Sequence, residues 1–184
     1  MDSLTGQLLI AIPELPDSNF FRSVVFMIEH SSEGAMGVIL NRPSNVKLGE
    51  IWNQLDPNVN VERDDFVHLG GPVKGPIVGL HEQFQFNDNE VIDGVYMTMD
   101  SHRLNELVEE SEFRFKAFSG YSGWGPNQLE SEIEHGGWFV TGAKPGDVFY
   151  SSHDLWKHLC ERVGQDILSE FGITKNSMID PNLN

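Results

Sequence analysis

The sequence is short of cysteine, of long apolar runs and of basic residues, and each shortage excludes something. Cys160 is the single cysteine, so no disulfide can form within the chain, and a reducing compartment is the simpler expectation. No apolar run approaches the roughly 20 residues that a membrane-spanning helix needs. The first residues, from Met1 to Gly6, have neither the basic nor the apolar region of a secretion signal. These absences predict a soluble protein of the cytoplasm with no membrane association.

Basic residues are outnumbered by acidic ones. The chain has 12 Lys and Arg against 28 Asp and Glu, which gives a formal net charge of −16. Nucleic-acid-binding proteins neutralise phosphates with clustered Lys and Arg, and here the positive residues are scattered singly. The charge pattern argues against direct contact with nucleic acid and against adsorption to an anionic membrane. A small basic pocket remains compatible with it.

The rest of the composition is that of an ordinary globular protein. Hydrophobic residues make up 39% and charged residues 22% of the 184 positions, so the chain is long enough and apolar enough to bury a core of its own. We predict a single domain over residues 1–172 and a polar C-terminal tail over residues 173–184. No internal repeat or linker divides the chain.

Short apolar runs separated by Gly, Pro and Ser turns predict about nine strands, interrupted by three or four helices. This arrangement favours an α+β fold over regular alternation of strands and helices. Helices are predicted after Leu48, after Asp100 or Ser101, after Pro126 and after Ser151. The predicted strands are Leu8–Ile12, Ser23–Ile28, Gly37–Asn41, Phe66–Leu69, Ile77–His81, Val95–Met99, Phe113–Ala117, Trp138–Val140 and Val148–Tyr150.

The most informative segment contains a glycine-rich stretch, Gly120–Gly125, that we interpret as a turn between a strand and a helix. Such a turn is a natural anion site, because it offers free backbone N–H groups and the positive end of the helix dipole. Pro126 and Asn127 stand where a P-loop needs Lys and Ser or Thr, which excludes a P-loop nucleoside triphosphatase. The alternative is that the glycines let Tyr121 and Trp124 pack against the sheet.

Ser122 is a candidate nucleophile, since it lies in the same segment and serine hydrolases place their serine between a strand and a helix. The sequence misses the G-x-S-x-G pattern at its last position, where Trp124 stands. None of the seven histidines can be singled out as a base, and His81-Glu82 is not followed by the second histidine of a zinc protease. The sequence therefore predicts no catalytic residue, no metal site and no cofactor, and it leaves a Ser122 hydrolase as the alternative function.

Arg42 differs from the other cations because it follows an apolar strand and is held between Asn41 and Pro43. At the end of a buried strand, a planar guanidinium can bind a carboxylate or a phosphate. The alternative is an ion pair within the molecule, since 28 acidic residues are available.

Two long motifs carry a family resemblance. One is Gly34–Pro43, GAMGVILNRP, and the other is Gly120–Glu130, GYSGWGPNQLE. In their order along the chain, from Leu4 to Gly164, these and several shorter motifs resemble the AlgH/YqgE family of bacterial proteins. The shorter motifs are Gly6–Ala11, Phe20, Arg22–Val25, Glu29–His30, Leu69–Val73, Trp138 and Leu155–Trp156.

The resemblance implies a single α+β domain in which a coiled mixed β-sheet forms a pseudo-barrel flanked by helices. It implies no activity, because none is established for the family, although a role in regulating transcription has been attached to some members. The family accepts Ala at the position of Ser122, which weakens the hydrolase alternative. The net charge of −16 predicts that any regulatory role proceeds without direct DNA contact.

We therefore predict a binding or regulatory domain rather than an enzyme. Its expected partner is another protein or a small anionic ligand, and the oligomeric state is encoded in no pattern of the sequence. The functional surface is predicted in three turns, Asn41–Pro43, Gly70–Pro72 and Gly120–Gln128, which form one small-ligand site only if they lie within about 15 Å of one another. The predicted ligand-binding residues are Asn41, Arg42, Gly70, Gly71, Tyr121, Ser122, Trp124, Asn127 and Gln128.

Overall fold

The computed structural model describes residues 2–55, 61, 63–86, 89–110, 112–150 and 154–170, with ten strands and five helices among them. A single 3-10 turn covers Phe84–Phe86. The helices are α1 (Leu48–Leu55), α2 (Ser101–Glu109), α3 (Gln128–Glu134), α4 (Pro145–Val148) and α5 (Leu155–Glu170). The strands are β1 (Gln7–Ala11), β2 (Val24–Ser31), β3 (Gly34–Ile39), β4 (Pro43–Lys47), β5 (Phe66–Leu69), β6 (Val73–His81), β7 (Asn89–Ile92), β8 (Val95–Thr98), β9 (Phe115–Trp124) and β10 (Trp138–Gly142).

All ten strands belong to one mixed sheet. Its main path runs β10-β1-β2-β3-β9-β6-β8-β7, with β4 paired to β5 and β5 paired to β9 off this path. The pairing of β5 with β9 is parallel, and the other described pairs are antiparallel. Strand β9 is the centre of the sheet, because it pairs with β6, β5 and β3 in turn along its length.

The sheet curls into a half-barrel. Its two ends approach each other where Ile92 of β7 lies against Gly6, so closely that a Cβ on Gly6 would sit 2.6 Å from an Ile92 methyl. Apolar side chains from both halves of the sheet, among them Leu8, Phe26 and Phe118, meet inside the curl, and Leu155 and Leu159 of α5 pack against them. The α+β fold with a coiled mixed sheet flanked by helices is confirmed.

Two further apolar layers cover the outer face of the sheet. Helix α3 packs Leu129 against β1–β3, together with Trp124 and Trp138. Helices α1 and α2 pack Leu48, Trp52 and Leu107 against β5 and β9. The apolar periodicity that predicted these helices therefore marks the faces that they bury. No helix among the described residues is long and apolar enough to cross a membrane.

The interpretation of Gly120–Gly125 as a turn is wrong. These residues continue β9 as far as Trp124, which pairs with Ala35 of β3. Gly120 has a φ of +72°, a backbone conformation that glycine adopts without a steric penalty, and it bends the strand without ending it. The following helix begins at Gln128 after Asn127, so Pro126 lies outside it.

The predicted strand Val148–Tyr150 is also wrong. Pro145 starts the short helix α4, and the Asp147 carboxylate accepts a hydrogen bond from the backbone N–H of Lys144 at its N-terminus. These local signals override the β-propensity of Val148 and Phe149. Strands β4 and β7 were not predicted. The predicted cap at Ser151 and the tail at 173–184 lie outside the described residues.

Candidate functional site

Glycines of the short Leu69–Val73 motif and of the Gly120–Glu130 motif allow two backbone segments to come into contact. A Cβ on Gly70 would lie 2.2 Å from the carbonyl oxygen of Gly120, and one on Gly71 would lie 2.3 Å from the backbone of Tyr121. The carbonyl oxygen of Gly70 accepts hydrogen bonds from the backbone N–H of Ile39 and from the Ser122 hydroxyl. We call Gly70, Gly71 and Gly120 the glycine junction. It lets the segment between β5 and β6 press against β9.

Ser122 is enclosed by this junction. Its side chain is fully buried, and its hydroxyl donates to the carbonyl oxygen of Gly70 at 3.0 Å. A hydroxyl in this position has no solvent-accessible face for a substrate, so the geometry lends the hydrolase alternative no support. The neighbouring Tyr121 ring lies over Gly75 and Gly123, where a Cβ would come within 2.9 and 3.2 Å of it.

Asn41 and Arg42 hold the chain that precedes β2. The Asn41 amide accepts from the N–H of Val24 at 2.9 Å and donates to the carbonyl oxygen of Arg22 at 2.8 Å. The Arg42 guanidinium donates to the carbonyl oxygens of Asn19 and Phe21, and burial lowers its pKa. The hydrogen-bond partners of Arg42 are therefore backbone carbonyls, and the Asp17 carboxylate acts on it through its charge, with no close ion pair among the described residues.

Around α3, one carboxylate organises a cluster of aromatic side chains. Glu132 accepts from the indole N–H of Trp124 at 3.0 Å and from that of Trp138 at 2.9 Å. Gln128 closes the same network, since its amide accepts from Gly125 N–H and donates to Glu132. Asn127, with a φ of +58°, is exposed and makes no side-chain cap.

The structure brings together some of the predicted ligand-binding residues and separates others. Asn41 and Arg42 adjoin the glycine junction, because the N–H of Leu69 donates to the carbonyl oxygen of Arg42. Asn127 and Gln128 follow Trp124, which pairs with Ala35 at the other end of β3. Ala35 and Asn41 are six residues apart along the chain, or about 20 Å in an extended strand. The two groups thus occupy opposite ends of β3.

A cleft of about 860 Å³ opens beside the glycine junction. In the parallel pairing of β5 with β9, His68 lies opposite Phe118 and Leu69 lies opposite Ser119. The cleft lies on the N-terminal side of these pairs, where β5 and β9 diverge. Asn41 lines it, and it is the one predicted ligand-binding residue that does so among the described residues. We name it the His68–Lys116 cleft, and its aromatic and charged lining is formed by Phe66, His68, Phe113, Arg114, Phe115, Lys116, Phe149 and Tyr150.

Lys116 projects from β9 into this cleft. Its ammonium donates to the carbonyl oxygen of Tyr150 at 2.8 Å, and burial lowers the pKa of Lys116 to about 8. Within the described ranges, no carboxylate lies at ion-pair distance from it. Charge burial without a counter-ion is unfavourable, so Lys116 is a cation that lacks an anion.

His68 stands beside Lys116 as a neutral imidazole. Burial, and then the nearby charge of Lys116, lower the pKa of His68 to about 4. Its Nδ1 lies 3.1 Å from the carbonyl oxygen of Phe66, and this pairing requires the proton on Nδ1. The lone pair of Nε2 is left as a hydrogen-bond acceptor, or as a base, at the surface of the cleft.

The exposed carboxylate of Glu112 also lines the cleft, and the remaining charged groups of the lining are paired. Asp64 binds Lys47 at 2.6 Å, Asp65 binds the Arg63 guanidinium at 2.8 Å, and Arg114 binds Glu82 at 3.0 Å. Arg63 also donates to three backbone carbonyls, of Leu107, Glu110 and Phe113, which fixes the wall of the cleft. The residues that the structure describes contain no group of three or more His, Cys, Asp or Glu that could hold a metal ion.

The curled mixed sheet, its glycine junction and the open cleft define an α+β half-barrel protein. The AlgH-like family model matches residues 8–168, and the chain belongs to this family. It is 37% identical to a UPF0301 protein of Myxococcus xanthus, over 90% of this chain and 94% of that one. A UPF0301 protein of Streptomyces coelicolor is 35% identical, over 91% and 90% of the two chains. The resemblance to the AlgH/YqgE family is thus confirmed.

Two solved structures share the fold. The solution structure of the AlgH protein from Pseudomonas aeruginosa superposes with a TM-score of 0.74 at 26% identity, covering 94% of this chain and 95% of that one. A crystal structure of a protein from Corynebacterium diphtheriae gives a TM-score of 0.70 at 29% identity, covering 85% of each chain.

Sequence reasoning missed the cleft because its polar residues look ordinary in one dimension. Lys116 and Arg114 alternate with Phe113 and Phe115, which is the pattern of a strand with one face in solvent. The antiparallel pair of β4 and β5, which α1 separates along the chain, lines the same cleft, and the alternation in β9 does not indicate this. A signal does exist, since aromatic residues flank both cations and another aromatic pair, Phe149-Tyr150, closes the cleft from a distant segment.

Proposed function

We propose that this chain is a ligand-binding regulatory domain that binds a small organic anion in the His68–Lys116 cleft. The observation that carries the proposal is the Lys116 ammonium, which is partly buried and has a backbone carbonyl as its hydrogen-bond partner. An anionic group of a ligand would supply the missing counter-charge and form a charge-assisted hydrogen bond.

The lining indicates what else the ligand carries. Phe66, Phe113 and Phe149 offer apolar surface for a hydrocarbon or aromatic body. The Nε2 atom of His68 offers an acceptor for a hydroxyl or N–H group of the ligand. A carboxylate or phosphate attached to an apolar body, with one hydrogen-bond donor, matches this set. The volume of about 860 Å³ suits a metabolite-sized molecule.

The proposal includes no direct contact with nucleic acid. The net charge of −16 opposes it, and the positive residues are scattered singly along the chain instead of forming a stripe. The regulatory role that the family resemblance implies would then act through the ligand or through a partner protein. Ligand occupancy would be the signal that such a partner detects.

A ligand screen tests the proposal. Thermal unfolding is followed with a panel of aryl and alkyl carboxylates and phosphates, using the natural chain, Lys116→Met and the exposed-lysine control Lys157→Met. A ligand at ten times its Kd stabilises the folded state by about 1.4 kcal/mol, or about 4 °C. We expect this rise in the unfolding temperature with the natural chain and with Lys157→Met. With Lys116→Met, we expect a Kd at least about tenfold weaker. Equal binding to all three would place the ligand elsewhere.

A partner protein is the second candidate, and the observation that favours it is the open edge of β10. This strand ends the sheet, carries no charged residue, and leaves Phe139 and Val140 more than a third exposed. An uncovered, uncharged edge can add a strand from another protein. Val140→Lys would block that pairing without touching the core, so a partner captured by the natural chain should be lost, whereas Lys157→Met should retain it.

A further inference from the structure

We propose that Lys116 forms a reversible imine with a carbonyl-bearing organic anion in the cleft, such as a 2-oxo acid. This inference rests on the proposed function, since it identifies the reactive group of the ligand that the His68–Lys116 cleft binds. The neighbouring groups are those that imine formation uses: an amine in a cleft with aromatic walls, and a neutral imidazole that lines the same cleft.

The surroundings of Lys116 make it a suitable nucleophile. Its side chain is carried by β9, which is paired with β6 at this position, so the amine is held on a rigid element. Phe115, Phe149 and Tyr150 line the same cleft, and the ammonium donates to the carbonyl oxygen of Tyr150. No carboxylate of the described residues holds the proton on it, so the free amine is accessible near neutral pH.

His68 is placed to move the protons of the reaction. Its ring contacts Phe118 at a centroid distance of 5.5 Å, and Phe118 shares a strand face with Lys116, two residues earlier on β9. The Nδ1–H is engaged with the Phe66 carbonyl, which fixes the ring and presents Nε2 to the cleft. The cleft would orient a ligand carboxylate that lies next to the reacting carbonyl. The Arg114 guanidinium also lines the cleft.

The chemistry balances without any further reactant. The Lys116 ammonium first loses a proton to water, and the amine lone pair attacks the carbonyl carbon while the C=O π pair moves to oxygen. His68 then relays a proton from the nitrogen to that oxygen, and the proton lost in the first step returns to the resulting hydroxyl. The nitrogen lone pair forms the C=N bond as the C–O bond breaks, and water leaves. The product is a protonated imine, so that an ammonium and a carbonyl give an iminium ion and one water. Hydrolysis reverses the sequence and releases the ligand unchanged.

Borohydride trapping tests the inference with two probes of the same shape. Phenylpyruvate carries the carbonyl, and phenyllactate replaces it with a hydroxyl. The natural chain is incubated with each probe and sodium borohydride, and its intact mass and peptide map are recorded. We expect about one reduced phenylpyruvate adduct per chain, located at Lys116, and none with phenyllactate. Lys157→Arg should be trapped like the natural chain, whereas Lys116→Arg should lose the adduct at least about tenfold.

Two further readouts separate this inference from the proposed function. The trapping rate should rise with pH through about 8, the pKa of Lys116, because only the free amine attacks. His68→Gln should slow trapping by a larger factor than it weakens phenyllactate binding, because the glutamine amide can still accept a hydrogen bond from the ligand but cannot relay a proton. If phenyllactate and phenylpyruvate bind in the cleft but no adduct forms at Lys116, the imine is refuted and the proposed function stands. If neither binds, both fail for this class of ligand.

Discussion

The glycine junction and the His68–Lys116 cleft lie side by side on β9 and use the same strand in opposite ways. At the junction, the Gly70 carbonyl accepts from the Ser122 hydroxyl, and the Gly70 N–H donates to the carbonyl oxygen of Ser119. In the cleft, Lys116 is partly buried with no carboxylate of the described residues at ion-pair distance, and His68 has one ring nitrogen for which no hydrogen bond is described. The contrast indicates that the motif-rich half of β9 holds the fold together, while the less distinctive half lines the cleft that we propose as the binding site.

The largest test of this contrast is Gly70→Ala. The added Cβ would lie 2.2 Å from the Gly120 carbonyl oxygen, a backbone atom that cannot move aside without distorting β9. We expect a loss of about 3 kcal/mol or more in the free energy of unfolding by denaturant. The matched control is Gly146→Ala in α4, where a Cβ meets nothing within 4 Å and the stability should be unchanged or slightly raised. A stable Gly70→Ala protein would remove the structural role from the junction.

The second test removes the carboxylate beneath the two tryptophans. Glu132→Ala leaves the indole N–H groups of Trp124 and Trp138 without their acceptor, so we expect a loss of about 2 kcal/mol. The wavelength of the tryptophan emission maximum should shift as the indoles lose this contact. Glu134→Ala, at an exposed position on the same helix, is the control and should alter neither quantity. If both variants behave alike, the network around α3 contributes nothing to stability.

The third test is the acid side of the stability profile. The pKa of His68 is lowered in the folded state to about 4 from the ordinary value of 6.5, so the unfolded chain takes up its proton first as the pH falls. Stability is therefore lost between pH 6.5 and pH 4. His68→Gln should lose about 2 kcal/mol less than the natural chain over this interval, measured by denaturant unfolding at both ends. His102→Gln, at an exposed position, should follow the natural chain.

The smallest expected change in stability is also the most specific test of the cleft. Lys116→Met replaces a buried ammonium with an apolar side chain of similar length, so we expect unfolding near pH 7 to cost about 1 kcal/mol more. The gain should shrink as the pH rises from 8 towards 10.5, because the natural lysine then loses its proton in the folded state first. Lys157→Met should change stability by less than about 0.5 kcal/mol. A destabilised Lys116→Met protein would mean that Lys116 is structural.

The sequence predicts those parts of the fold in which a pattern matches burial. The apolar run of β2 and the helical spacing of Leu104, Leu107 and Val108 in α2 are both confirmed, because each pattern reflects the face that the element buries. The continuation of β9 through Gly120 and Gly123 was not predicted. Glycine suggests a turn locally, and here the requirement for it comes from the backbone of a distant segment, at Gly70 and Gly71.

The cleft is even less predictable, for a different physical reason. Lys116 and His68 are 48 positions apart, and the divergence of β5 from β9 that exposes them to a common space depends on pairing between segments distant in the chain. Neither residue has an unusual neighbour in sequence. The prediction of a small anionic ligand as partner remains a prediction, and the cleft gives it a place in the molecule.

The triple pairing of β9 has a consequence for how the chain is made. Strands β3, β5 and β6 are synthesised before residues 115–124. None of them can form its pairing with β9 until that strand has been made. Until then the nascent chain exposes unpaired strand edges, a state that invites aggregation and binding by chaperones. Synthesis of one late segment thus closes the whole sheet, so truncation before Trp124 should leave a chain that cannot fold.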